Sequence, residues 1–182
     1  IRLRIRFQYG INNHLHTVRP TLAQAMNKHL LRQAIIQTLQ QELSVAMVAA
    51  QQAHDAATHE QSKAETQYDT LGLENAYLAE GQSRRIDELV HAISQLENWS
   101  IKDFKEDEEI YLGALLTLES QNKKILRLFL APAGGGITIE PENDAIKVIT
   151  PQTPLGQALL GLSVEDTAKL QTGASYIITH LQ

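Results

Sequence analysis

Thr150-Pro151-Gln152-Thr153-Pro154-Leu155-Gly156-Gln157-Ala158-Leu159-Leu160-Gly161, followed by Asp166, is the most informative stretch of this chain. Pro151 and Pro154 fix φ and push the residue before each away from the helical region, so the approach is extended. Thr153 predicts a helix cap, with Pro154 in the first helical position. Leu155, Ala158 and Leu159 give a short apolar helix, and Gly161 ends it. Read alone, this is a capped helix between two strands. Its weight comes from what precedes it: a long, alanine-rich helical pattern and then a strand-rich segment.

Toward the N-terminus, apolar positions run Ile36, Leu39, Leu43, Ala46, Ala50, Ala53 and Ala57. The steps alternate between three and four, the spacing of a heptad seam. Alanines at the far end let two helices approach closely. A second seam runs Ala64, Tyr68, Leu71, Asn75, Leu78, Gln82, Ile86, Leu89, Ile93 and Leu96. The two steps of four around Gln82 form a stutter that unwinds the supercoil locally. Between the seams, Thr58 with Gln61 and Ser62 with Glu65 make overlapping capping boxes. The prediction is a helix over 27–57, a turn near 58–62 and a helix over 63–97. Paired antiparallel, these arms are roughly 45–50 Å long. Half of a larger helical bundle fits the same seam.

Asn98-Trp99-Ser100 closes the second helix, and residues 102–109 read as a charged linker. The period then becomes that of strands. Candidates are 110–119 and 124–130 around the turn Ser120-Gln121-Asn122-Lys123, then 137–140, 145–149, 167–170 and 176–181. The expected fold class is α+β. An N-terminal antiparallel helical hairpin, or coiled coil, occupies residues 26–99, and a small α+β domain occupies 100–182.

Charge divides the chain unevenly. Residues 1–25 hold Arg2, Arg4, Arg6 and Arg19 and no acid. From Met26 onward acids exceed bases by about nine, which argues against gripping nucleic acid and suits a partner with a positive groove. Residues 1–25 read as translated upstream sequence or a fragment boundary. The alternative is a basic arm that touches phosphates. The chain has no cysteine, which removes thiolate chemistry and fits a reducing, cytoplasmic setting. No apolar run approaches the roughly 20 residues of a membrane span.

Few residues offer chemistry. Gly134-Gly135-Gly136 lacks the lysine and hydroxyl of a phosphate-binding loop, so it predicts a flexible β-turn. The histidines do not converge at metal-ligand spacing. No Gly-x-Ser-x-Gly elbow occurs, and Ser83 and Ser94 lie mid-helix. The carboxylates around the hairpin turn, Asp55, Glu60, Glu65, Asp69 and Glu74, stand out. They make either a solvated face or a thin acidic tip able to enter a narrow channel. There they would share a Mg²⁺ with another protein's active site, since one or two carboxylates suffice when the partner supplies the rest.

A helical hairpin followed by a strand-rich domain carrying Pro154, Leu155, Ala158, Leu159, Gly161 and Asp166 resembles the bacterial Gre family of transcript-cleavage factors. The resemblance covers about residues 26–182. It implies a coiled coil followed by an FKBP-like C-terminal domain, in a protein that is monomeric and not itself an enzyme. It also implies docking of that domain on RNA polymerase, with Pro154, Leu155, Gly161 and Asp166 as docking residues. The coiled coil would enter the secondary channel, where Glu60, Glu65 and Asp69 lend charge to the polymerase's Mg²⁺ and promote cleavage of backtracked RNA. Nascent RNA is then met only indirectly, and no metal is held by the chain alone.

Two departures from the family pattern are visible. Glu165 stands where the family often has glycine. The tip signature Gly-Asp-x-x-Glu-Asn-Ala-Glu-Tyr is matched only loosely, by Ala64-Glu65-Thr66-Gln67-Tyr68-Asp69 or by Leu73-Glu74-Asn75-Ala76-Tyr77. A channel-binding regulator without cleavage therefore stays open. So does an FKBP-like peptide-binding or prolyl-isomerase module, although Trp99, Phe104, Tyr111, Phe129 and Tyr176 are scattered along the sequence.

Overall fold

The computed structural model describes residues 27–58, 71–141 and 144–182. Asn27 opens the first helix. Its side-chain oxygen accepts from the His29 backbone N–H at 3.0 Å, satisfying one of the donors that a helix start leaves free. Helix α1 runs Lys28–Thr58 and helix α2 runs Leu71–Glu97. They pack along each other as the sequence predicts. Asn98 ends α2 by donating from its side chain to the Ser94 carbonyl at 2.8 Å. The expected turn and most of its capping residues fall on residues 59–70, outside the described residues.

The buried seam of α1 matches the expected one at Leu39 and Ala46 but differs at its start. It runs Leu31, Ile35, Leu39 and Ala46, with Ile36 and Leu43 only partly buried. The reason is that the base of α1 has two neighbours. It packs on α2 and also on a β-sheet, so its apolar stripe turns toward both. On α2, Leu89, Ile93 and Leu96 are buried, whereas Leu78, expected in the seam, is exposed.

Six strands follow: β1 Leu115–Ser120, β2 Ile125–Leu130, β3 Thr138–Ile139, β4 Ile146–Ile149, β5 Thr167–Lys169 and β6 Ser175–Leu181. Between β4 and β5 lies helix α3, Pro154–Leu159. The strands form one sheet in the order β3-β4-β2-β1-β6-β5, antiparallel throughout except for β2 with β4. The chain is thus α+β, a helical hairpin followed by a small mixed-sheet unit. The strand expected over 110–119 begins only at Leu115. Ile110 bonds elsewhere: its N–H donates to the Leu162 carbonyl at 2.8 Å and its carbonyl accepts from Gly161 at 2.9 Å.

Alternation along the strands separates two cores. Leu115, Phe129, Ile146 and Val148 face the hairpin and join Leu31, Ile35, Leu39, Leu89, Ile93 and Leu96. Leu116, Leu118, Leu128, Ile149, Ala168 and Ile178 face the other way, under Leu159 of α3 and under Phe104 and Ile110. The first core runs through hairpin and sheet alike, so the hairpin is rooted at one end. Trp99 marks the join, its ring 5.8 Å from that of Phe129.

The three glycines are a docking turn rather than a loose one. Gly134 has φ +81°, a conformation that favours glycine, and a Cβ there would lie 2.7 Å from Cγ2 of Ile35. A Cβ on Gly135 would come within 3.1 Å of Thr150. Here α1 meets sheet backbone directly.

Candidate functional site

The expected tip carboxylates Glu60, Glu65 and Asp69 lie outside the described residues. Of their neighbours, Asp55 is exposed on α1 and accepts from Gln51 Nε2 at 2.7 Å. Glu74 falls on α2. The flank of the hairpin below is charged and tied across the two helices, where Arg85 of α2 donates to Glu42 of α1 at 2.6 Å. Among the described residues no group of three or more histidines or acids could hold a metal ion. No helix among them is long and apolar enough to cross a membrane.

The other candidate residues form one assembly around α3. The chain turns off β4 at Thr150, whose carbonyl accepts from both the Thr153 N–H at 3.0 Å and the Thr153 hydroxyl at 2.8 Å. Thr153 then caps α3, accepting from the Gly156 N–H at 3.1 Å, with Pro154 in the first turn. Gly156 is buried against the same carbonyl, and a Cβ on it would fall 2.1 Å from Thr150 O. Leu155 packs on the second core, while Pro154 is exposed. Gly161 ends the segment at φ +78°.

Asp166 closes the following turn. Its carboxylate accepts from the Ser163 N–H at 2.8 Å, and its own N–H donates to the Ser163 carbonyl. Glu165, third in that turn, has φ +76°. Positive φ at this position is what turns favouring glycine require, so glycine would fit here without strain. Glu165→Gly should relieve strain of about 1 kcal/mol, less the entropy that glycine adds to the unfolded chain. Thermal unfolding should show a midpoint higher by up to about 2–4 °C.

Of these residues only Pro154 lines a surface groove of about 430 Å³ beside α3. Pro154, Gln157 and Ala158 line one side, and Lys169, Leu170, Gln171 and Thr172, from β5 and the turn after it, line the other. The sequence reading placed Pro154 in the site but missed Gln157 and the whole second wall. Those residues come near α3 only through the pairing of β5 with β6. The groove has no aromatic ring in its lining, unlike the aromatic pocket that prolyl-isomerase chemistry uses.

A one-end-rooted helical hairpin on a mixed sheet, with a grooved capped helix on the opposite face, defines the class of fold. No family model and no curated protein matches the chain. Among solved structures it is similar to GreA factor homolog 1 of Thermus thermophilus, at 22% identity and a TM-score of 0.35, over 81% of this chain and 94% of that one. It is similar as well to Gfh1 of Thermus aquaticus, at 21% identity and a TM-score of 0.35, over 80% of this chain and 92% of that one. A third, a structure of the transcription factor Gfh1, has 24% identity and a TM-score of 0.33, over 81% and 92%.

Proposed function

We propose that this chain is a transcription elongation factor that acts on bacterial RNA polymerase without being an enzyme itself. The observation that carries the reading is the hairpin. Among the described residues, its helices of 31 and 27 residues pack on the sheet at their base. Such a rod reaches where a globular unit does not fit, and its predicted turn is rich in carboxylates. The α3 groove offers the docking face: Pro154 is exposed on it and Leu155 packs into the second core, while Gly161 and Asp166 lie in the turns that follow α3, outside the groove lining. The net negative charge of the body suits a positively lined channel.

In this account a Mg²⁺ bound by the polymerase would supply the activation of water for cleavage of backtracked RNA. The chain lends Glu60, Glu65 and Asp69. A change to the amide keeps size and removes charge. Glu60→Gln and Glu65→Gln should leave polymerase affinity within about twofold, because docking rests on the α+β unit, and should lower the RNA-shortening rate at least about tenfold. Asp69→Asn should cost less. The assay is RNA shortening in stalled, backtracked complexes across Mg²⁺ concentrations. Variants as active as the unmodified chain would remove the tip acids from the account. An unmodified chain that binds and never shortens RNA is the obstructing regulator instead.

A further inference from the structure

Lys28 is the only buried charged residue among the described ones, at 3% exposure. Its position at the start of α1 is unusual for a lysine, since a helix start favours acids over cations. The side chain spans a long stretch of sequence. Its Nζ donates to the carbonyl of Lys102 and to the carbonyl of Gly113, the latter at 3.3 Å. Asp103 Oδ1 lies 3.4 Å away, and the ammonium sits 5.2 Å from the centre of the Phe104 ring. Burial pushes the amine below the usual lysine range, and Asp103 pulls it partly back.

Those partners are the segment that leads from α2 into the sheet. Gly113 is itself fixed to β2, donating to the Leu130 carbonyl at 2.8 Å. Beside this contact, Arg32 Nη1 donates to the Trp99 carbonyl at 2.8 Å. The remaining grip between hairpin and sheet is apolar, with Ile35 against the bare backbone of Gly134 at its centre. Apolar contact is non-directional. A glycine backbone under an isoleucine offers no ridge to stop sliding. The polar contacts add direction-specific restraints to this packed core.

We propose that Lys28 is a latch that sets the direction of the hairpin relative to the sheet, and so the position of the hairpin tip. In some proteins a buried charge specifies one geometry while adding little stability, and that is the role proposed here. Lys28→Met keeps the apolar stem and removes the ammonium. It leaves the Lys102 and Gly113 carbonyls without this donor, so its melting midpoint should fall by a few degrees while the hairpin takes more than one direction. The inference concerns the fold's own geometry and holds whatever the tip meets.

The test uses the full chain, which has no cysteine of its own. Spin labels go on Gln52→Cys in α1 and Thr172→Cys in the turn after β5, both exposed. Pulsed dipolar spectroscopy then reads their separation. Unmodified Lys28 should give one narrow distance peak. Lys28→Met should add a second, holding more than about a tenth of the molecules. Leu89→Ala serves as the control, since it weakens the hairpin core without touching the latch, and should lower the melting temperature while keeping one peak. A single narrow peak in Lys28→Met overturns the proposal. So does equal broadening in Leu89→Ala, which would tie the spread to stability alone. Should Lys28→Met not fold, Lys28→Gln is read by the same criterion.

Discussion

Gly156→Ala is expected to unfold the α+β unit at temperatures where the unmodified chain is intact. The added Cβ would sit 2.1 Å from the Thr150 carbonyl oxygen and 2.9 Å from the Thr150 carbonyl carbon. Both are backbone atoms, so no side chain can swing away. The Thr150 carbonyl also anchors the Thr153 cap, so a shift that relieves the clash breaks the cap and lifts α3 off the sheet. A cost of about 4 kcal/mol or more follows, in the range reached only by a few mechanisms such as severe overpacking. In a chain of this size the melting midpoint should fall by about 10 °C or more. Calorimetry checks it. A midpoint within a degree or two of the unmodified chain would mean that α3 does not approach Thr150 as described.

Gly134→Ala should be nearly as severe, at the other face of the sheet. Two costs combine there. The backbone is at φ +81°, which costs a residue with a Cβ about 1–2 kcal/mol. The new methyl would also press on the fully buried Ile35 at 2.7 Å, adding about 1–3 kcal/mol. The second cost is separable by a double-mutant cycle. Ile35→Ala alone opens a cavity worth about 2–5 kcal/mol. Combined with Gly134→Ala it removes the methyl that clashes, so the pair should cost less than the sum by about 1 kcal/mol or more. Strict additivity in denaturant unfolding would show that α1 does not rest on this turn.

These two glycines also mark where reading the sequence stops. The α3 segment was readable because its signals are local: Thr153 caps, Pro154 starts, Gly161 ends, and the structure has each in that role. Gly156 carried a signal that went unused. A glycine inside a short helix costs about 1 kcal/mol against alanine, so its presence there implies a close neighbour. The neighbour itself, Thr150, is set by the turn off β4. Gly134 read as a loose turn because its partner, Ile35, lies about a hundred positions earlier.

The hairpin shows the same limit. Its pairing followed from the heptad spacing, yet the seam was placed on Ile36 where the structure buries Ile35. One amphipathic stripe reports that a face is covered, not that two different surfaces cover it. The groove beside α3 was half visible for a related reason. Pro154 lies on a motif, but Lys169, Leu170, Gln171 and Thr172 are ordinary residues brought there by strand pairing. Lys28 gave no sequence signal, since a lysine at a helix start reads as solvated until its burial is seen.

The central claim is that the chain acts by docking on RNA polymerase and passing its hairpin toward the active centre. The most direct measurement adds the full chain to stalled, backtracked bacterial elongation complexes and follows two things together: retention of the chain by the polymerase and the length of the RNA. The account predicts saturable retention accompanied by shortened, still extendable RNA. A folded chain that the polymerase does not retain at any concentration tested would contradict it.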